Sequence, residues 1–362
     1  MEHLSIEAVP EYGVGYSHKT GLLYGSDIGL FAHLTSFSSR SVRVAPDALL
    51  ALGRLPCLES LLLHVNSDEY TWNALPHERG AVFFPVLLQL TLHKIDFEWS
   101  TAFLNLLTTP SLHALSIRSP ADPLPTPIVF NALCAAIGRL PSASSITDIF
   151  VTIGGILFEQ RICCGHEIYW SEDIAPLFSL RTALRRLIIT GQCVIVVDDV
   201  ALAAMVENWP HIVELVLTWA WNIDIRPQAA RSPEDDDFPY ATAWGLLRLA
   251  QRCPRMTKLA LAVDLRLAPP PDSQREHPII PPVPLSGNSV PALVEFDARG
   301  SLLGDTVGVA SFLSLVFPGL EIILPLEPGW WEMQRLYRWL VRVRAQERAF
   351  GQKSGRLRQR AG

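Results

Sequence analysis

The densest group of metal-binding side chains in the chain is Cys163-Cys164-Gly165-His166, two thiols and an imidazole in four residues. Zinc needs a tetrahedral set. Adjacent cysteines with a histidine two residues on do not complete one without a distant Cys-x-x-Cys, which is missing, so a loop is the expectation there. His77-Glu78 and His166-Glu167 lack the second histidine, four residues on, of a zinc-protease helix. Gly13-Val14-Gly15 runs into Tyr-Ser-His with no third glycine, and there is no Walker-type loop and no nucleophile elbow. The residues predict no catalytic, cofactor or metal site. Another arrangement stands out. His64, His93 and Arg118 occupy the same position in three successive copies of one short phrase. Brought side by side, they would form a polar, partly cationic stripe able to accept an acidic or phosphorylated peptide.

What must position that stripe is a repeat. The phrase is an apolar residue, often a proline, then Leu-x-x-Leu-x-Leu. It reads LPCLESLLL at Leu55–Leu63, FPVLLQLTL at Phe84–Leu92, TPSLHALSI at Thr109–Ile117, WPHIVELVL at Trp209–Leu217 and CPRMTKLAL at Cys253–Leu261. Looser copies begin near His33, Ser145, Ala183, Ala292 and Phe317. The first anchors are Leu34, Leu58, Leu87, Leu112, Ile146, Leu184, Ile212, Met256, Leu293 and Leu320, spaced 24 to 44 residues apart. Period-two alternation makes each phrase a short strand with one face inward, and the proline stops the element before it. Segments of helical period lie between, beginning near Pro46, Ser100, Phe130, Asp198, Thr242 and Asp305, several with a capping residue. Strand then helix, repeated, demands parallel pairing, and no single unit can bury its own apolar face. The expected fold is therefore an α/β leucine-rich-repeat solenoid of about ten irregular repeats, a curved parallel sheet with helices on its convex side. The competing architecture is a closed doubly wound sheet, which rarely keeps one phrase at quasi-regular spacing.

Composition sets the class. Of 362 residues, 49% are hydrophobic and 18% charged, enough for a large core. The net charge of −6 disfavours a general nucleic-acid binder. However, Glu332–Gly362 carries nine Lys or Arg against two acids, leaving nucleic-acid contact or nuclear import open for that tail alone. The N-terminus has no apolar core for a signal peptide, no run approaches a membrane span, and six scattered cysteines read as reduced thiols of the cytosol or nucleus. Boundaries are expected at 1–29 for an N-terminal cap, 30–328 for the repeats, 329–350 for a capping helix and 351–362 for a basic, disordered tail. Loops are expected at the proline-rich 119–127, at the acidic Glu234–Asp237 and at 268–284, which holds seven prolines. Trp219-Ala220-Trp221 leads into the acidic loop, and buried packing is its expected role.

On a solenoid the concave face binds, and the residues between the inward leucines line it. The protein-binding candidates are His64, Gln89, His93, Arg118, Thr152, Arg186, Thr190, Glu214, Thr218 and Lys258.

Leu30–Val65, in which a helix with Pro-x-x-Leu leads into LP-x-L-x-x-L-x-L, resembles the start of the repeat region in fungal F-box/leucine-rich-repeat proteins. The later phrases carry the resemblance to about Leu324. It implies a substrate receptor of a Skp–cullin–F-box ubiquitin ligase: an F-box docking a Skp-type adaptor, and repeats holding the substrate. The expected pattern departs at the start, where Val9-Pro10-Glu11 is the nearest echo of an F-box and residues 1–30 are too few to hold one. The expectation is a non-catalytic protein-binding module: a family member without its F-box, one whose F-box lies upstream, or a repeat-only scaffold unrelated to ubiquitin. An α/β enzyme with an unrecognised site is the alternative of another class.

Overall fold

Each of the ten anchors, Leu34 through Leu320, is buried, and each stands two residues before a strand. A computed structural model describes residues 3–6, 22–23, 28, 31–39, 43–64, 83–120, 124–154, 167–181, 183–219, 241–266, 291–324 and 328–360. Eleven strands form one open parallel sheet: β1 (His3–Ile6), β2 (Ser36–Ser39), β3 (Ser60–His64), β4 (Gln89–His93), β5 (Ala114–Arg118), β6 (Asp148–Ile153), β7 (Arg186–Gly191), β8 (Glu214–Trp219), β9 (Lys258–Ala260), β10 (Glu295–Asp297) and β11 (Ile322–Leu324). They pair in chain order. Eight helices are seen among the described residues: α1 (Pro46–Gly53), α2 (Phe97–Leu104), α3 (Pro127–Gly138), α4 (Ser171–Ile174), α5 (Asp199–Asn208), α6 (Ala243–Arg252), α7 (Thr306–Val316) and α8 (Pro328–Arg360). The protein is thus a mixed α/β molecule built on a large parallel sheet.

One backbone device recurs at the entry to the strands. A single carbonyl just ahead of one strand accepts two successive N–H groups of the next. Thr35 O takes Glu59 and Ser60, Glu59 O takes Leu88 and Gln89, and Leu88 O takes His113 and Ala114. His113 O then takes Thr147 and Asp148, and Thr147 O takes Arg185 and Arg186. Val213, Thr257 and Val294 do the same between β8 and β11. Each such pair of bonds ties the approach of one strand to that of the one before and so helps set its register.

The chain divides into two compact units, residues 1–195 with 217–225, and residues 196–216 with 226–362. In the first, the alternation is clean. Leu61 and Leu63, Leu90 and Leu92, Leu115 and Ile117, Ile149 and Val151, and Leu187 and Ile189 are buried, while their neighbours on the other face are not. Helix α2 starts at Phe97, three residues ahead of the helical stretch marked from Ser100. Asp96 caps it by accepting from Trp99 N at 2.6 Å, and Phe97 and Trp99 then join the core. Likewise Thr126 and Pro127 open α3 ahead of Phe130, proline needing no donor in a first turn. The Phe130 ring lies 4.5 Å from that of Tyr169, whose hydroxyl donates to Pro125 O at 2.6 Å. Strand β1, within the expected N-terminal cap, pairs in parallel with β2 from His3↔Ser36 to Ile6↔Ser39.

In the second unit the capping residues are those the sequence marks. Asp198 accepts from Ala201 N, Thr242 from Trp244 N and Asp305 from Gly308 N. Asp199 ties α5 to α6 by accepting from both N–H and hydroxyl of Thr242. Helix α8 buries Trp330, Met333, Gln334 and Tyr337. Gln334 Nε2 donates to Ile323 O at 2.7 Å. The Tyr337 hydroxyl donates to Phe317 O at 2.7 Å and accepts from Leu320 N at 3.0 Å. Burial pushes the Tyr337 phenol up to about 12 against the opposing effect of the Leu320 N–H. The helix continues beyond the expected capping segment at 329–350 to Arg360. Arg356-Leu357-Arg358-Gln359-Arg360 are all good helix formers, and their charge did not outweigh that preference.

Candidate protein-binding face

Parallel register brings the three residues of the predicted stripe side by side. His64 pairs with His93, and His93 with Arg118. One row away Leu62 pairs with Thr91, and Thr91 with Ser116. These six residues line a partly open hollow of about 460 Å³. Its depth follows from side-chain length: Thr91 and Ser116 are short, while two imidazoles and a guanidinium stand along one edge. Among the described residues the lining contains a guanidinium, two imidazoles and two hydroxyls, and no carboxylate. Arg118 is exposed and forms no ion pair with a described residue.

The row of the stripe continues to Thr152 and Thr190, since Arg118 pairs with Thr152 and Thr152 with Thr190. Gln89, exposed, lies two rows from the stripe, beside Ser60 and Ala114. In that row Arg186 pairs with Asp148 through Nε and lies over the Phe150 ring at 5.3 Å. Thr147 Oγ1 also donates to Asp148, at 2.8 Å. Burial works against charge on Asp148. The bonds from Arg186 and Thr147, with the charges of Arg186 and Arg185, outweigh it and hold the carboxyl below its usual range.

A depressed carboxyl contributes stability that is present above the unfolded value of about 3.9 and lost as pH falls through the lower folded value. Asp148→Asn is therefore expected to cost about 0.5–1 kcal/mol at pH 6, small because the Arg186 side chain is 45% exposed. The difference from wild type should shrink as pH falls below about 4. Urea unfolding at both pH values checks it, and an undiminished difference in acid would refute the ion-pair account.

In the second unit the candidates sit in a charged row. Glu214 pairs in register with Lys258, and Lys258 with Glu295, whose carboxylate accepts from Lys258 Nζ at 2.8 Å. The side chain of Thr218 lies outside the described residues. The row above is closed rather than open: Val216, Ala260 and Asp297 are buried, Asp297 held by two nitrogens of Arg299 at 2.5–3.0 Å.

Other candidate chemistry divides simply. Cys134, Cys193 and Cys253 are buried, and burial pushes the thiols of Cys193 and Cys253 up to about 12. That of Cys134 is raised further, with the charge of Asp173 adding to burial. Such thiols are poor nucleophiles. The segments Gly13–Gly15, His77-Glu78, Cys163–His166, Ala220-Trp221, Glu234–Asp237 and 268–284 lie outside the described residues. Among the described residues no three metal-binding side chains cluster, and no helix is long and apolar enough to cross a membrane. Searches with family models and among curated proteins give no match to the chain.

Proposed function

We propose that the protein is a leucine-rich-repeat solenoid that catalyses nothing and holds another protein against the open face of its parallel sheet. The observation that carries this reading is the strand order: eleven parallel strands pairing in chain order, with the non-leucine positions of β3 to β7 left accessible. A sheet built this way offers a broad surface of alternate side chains rather than a closed, water-excluding pocket, and such surfaces suit polypeptides. The likeness of Leu30–Val65 to F-box/leucine-rich-repeat proteins supports a substrate-receptor role in the cytosol or nucleus, served by a Skp-type adaptor.

Two measurements test it. A photoreactive amino acid at Gln89 should form a discrete protein adduct in cells, whereas one at the exposed Glu98 on α2 should not. Equal adducts at the two positions would remove the face from consideration. Co-expression with a Skp-type adaptor, followed by size-exclusion chromatography with light scattering, separates the ligase role from a free-standing scaffold. A one-to-one complex establishes the first and its absence leaves the second.

A further inference from the structure

We infer that the outward face of α8 takes single-stranded nucleic acid, its arginines meeting phosphates and its tryptophans stacking on bases. The inference stands apart from the protein-binding reading of the sheet face. Helix α8 is docked by one side: Trp330, Met333, Gln334 and Tyr337 are buried, and Arg344 is bonded to Ser311 and Ser314. Trp331, Arg335, Arg338, Trp339 and Arg342 follow the i, i+4, i+7, i+8, i+11 spacing of another face, and all five are exposed.

Charge is the first ground. Arg335, Arg338 and Arg342 form no ion pair with a described residue, and the two acids of the helix, Glu332 and Glu347, form none either. Of the nine cations in Glu332–Gly362, eight are arginine and one is Lys353. A guanidinium matches phosphate in a bidentate pair and stacks on aromatic rings, which an ammonium does not do.

The kind of apolar surface is the second ground. The large apolar side chains exposed on α8 are aromatic, Trp331, Trp339 and Phe350, while Leu336, Leu340, Val341 and Val343 are half-buried. A helix that lies in a bilayer surface needs a broad apolar face, which this arginine-crossed one lacks. A second copy laid on it would set arginine against arginine. Flat rings among cations suit a single strand, because every base has a π-face to offer. At 1.5 Å per residue Trp331 and Trp339 stand about 12 Å apart along the helix, with Arg335 and Arg338 between them. A strand with one base on each ring passes its backbone over both guanidiniums.

The test uses the full chain and fluorescence anisotropy with a labelled mixed-sequence strand of about 12 nucleotides, made as RNA and as DNA. One or both should bind, and the tighter of the two names the sugar. The same sequence as a duplex, a polyglutamate peptide and phosphatidylserine vesicles should each compete at least about tenfold less well. Trp331→Ala/Trp339→Ala should lower affinity about tenfold or more. Arg335→Gln/Arg338→Gln/Arg342→Gln should weaken binding and reduce the slope of log affinity against log salt by about 2. Arg139→Gln, at an exposed arginine at the end of α3, should change nothing. The substituted side chains are exposed, so unchanged melting separates lost binding from lost folding. No binding of either strand, a duplex that competes as well as the single strand, stronger competition by polyglutamate or vesicles, or wild-type affinity in the tryptophan variant would each overturn the inference.

Discussion

Gly191→Ala should destabilise the folded chain by about 3 kcal/mol or more, against about 1 kcal/mol for Gly300→Ala. The two glycines share a positive φ and differ in what surrounds them. Gly191, at the end of β7, has φ +128, and a Cβ there would stand 1.9 Å from the Ile153 carbonyl oxygen and 2.7 Å from that residue's carbonyl carbon and nitrogen. Those atoms are backbone of the neighbouring strand, level with Gly191 in register. No rotamer change relieves the clash. The end of β7 must part from β6, and the 2.7 Å bond from Gln192 N to Ile153 O is lost with it. Gly300 has φ +78 and would bring its Cβ only to 3.7 Å from Ala262 Cβ, leaving the left-handed strain alone. Urea unfolding of both variants decides the matter. If Gly191→Ala proves no more harmful than Gly300→Ala, the strand pair is looser than these distances allow.

Gly191 also shows where sequence reasoning stops. The ten anchors were legible because each is an apolar residue at a fixed offset from an alternating run, and burial of Leu34 through Leu320 follows from that pattern alone. The caps at Asp198, Thr242 and Asp305 were legible because a short polar side chain ahead of a helical run has one stabilising use. The row of His64, His93 and Arg118 was legible too, since equal offsets in successive phrases must become neighbours in a parallel sheet. What needed coordinates depends on register between residues far apart in the chain. That Arg186 is spent on Asp148, and Lys258 linked to Glu295, requires knowing which offsets face each other and which side chains lean together. Strand β1 was missed because four residues, His3–Ile6, carry too little alternation to announce a strand; only the exposed edge of β2 gives them a partner. Phe97 and Trp99 were missed as helix because aromatic residues are indifferent helix formers, and their burial overrides propensity.

Ending the chain after Leu324 should abolish soluble, monomeric protein. β11 is the last strand of the sheet, and an uncovered edge is a template for aggregation. Helix α8 bears on that region through three contacts of different kinds. Trp330, Met333 and Tyr337 are buried, worth roughly 1.5–3 kcal/mol each and so together about 4.5–9 kcal/mol, the scale of a whole domain's stability. Gln334 satisfies Ile323 O on β11, and Tyr337 satisfies Phe317 O and Leu320 N on the approach to it. Arg344 reaches back to Ser311 O at 2.9 Å and Ser314 Oγ at 2.8 Å, fixing the helix to α7. Removing α8 therefore uncovers apolar surface and orphans backbone groups at one place. Tyr337→Phe, which keeps the ring and removes the hydroxyl, isolates the polar part and should cost about 1–3 kcal/mol. Trp331 and Trp339 point away from this contact, 63% and 61% exposed, so the Trp331→Ala/Trp339→Ala double variant should melt like wild type. Size-exclusion chromatography and thermal unfolding of the set provide the check. A shortened chain that stays monomeric and melts within about 3 °C of the full one would mean that the sheet edge is protected without α8, because a loss of even 1 kcal/mol shifts the melting point by about that much.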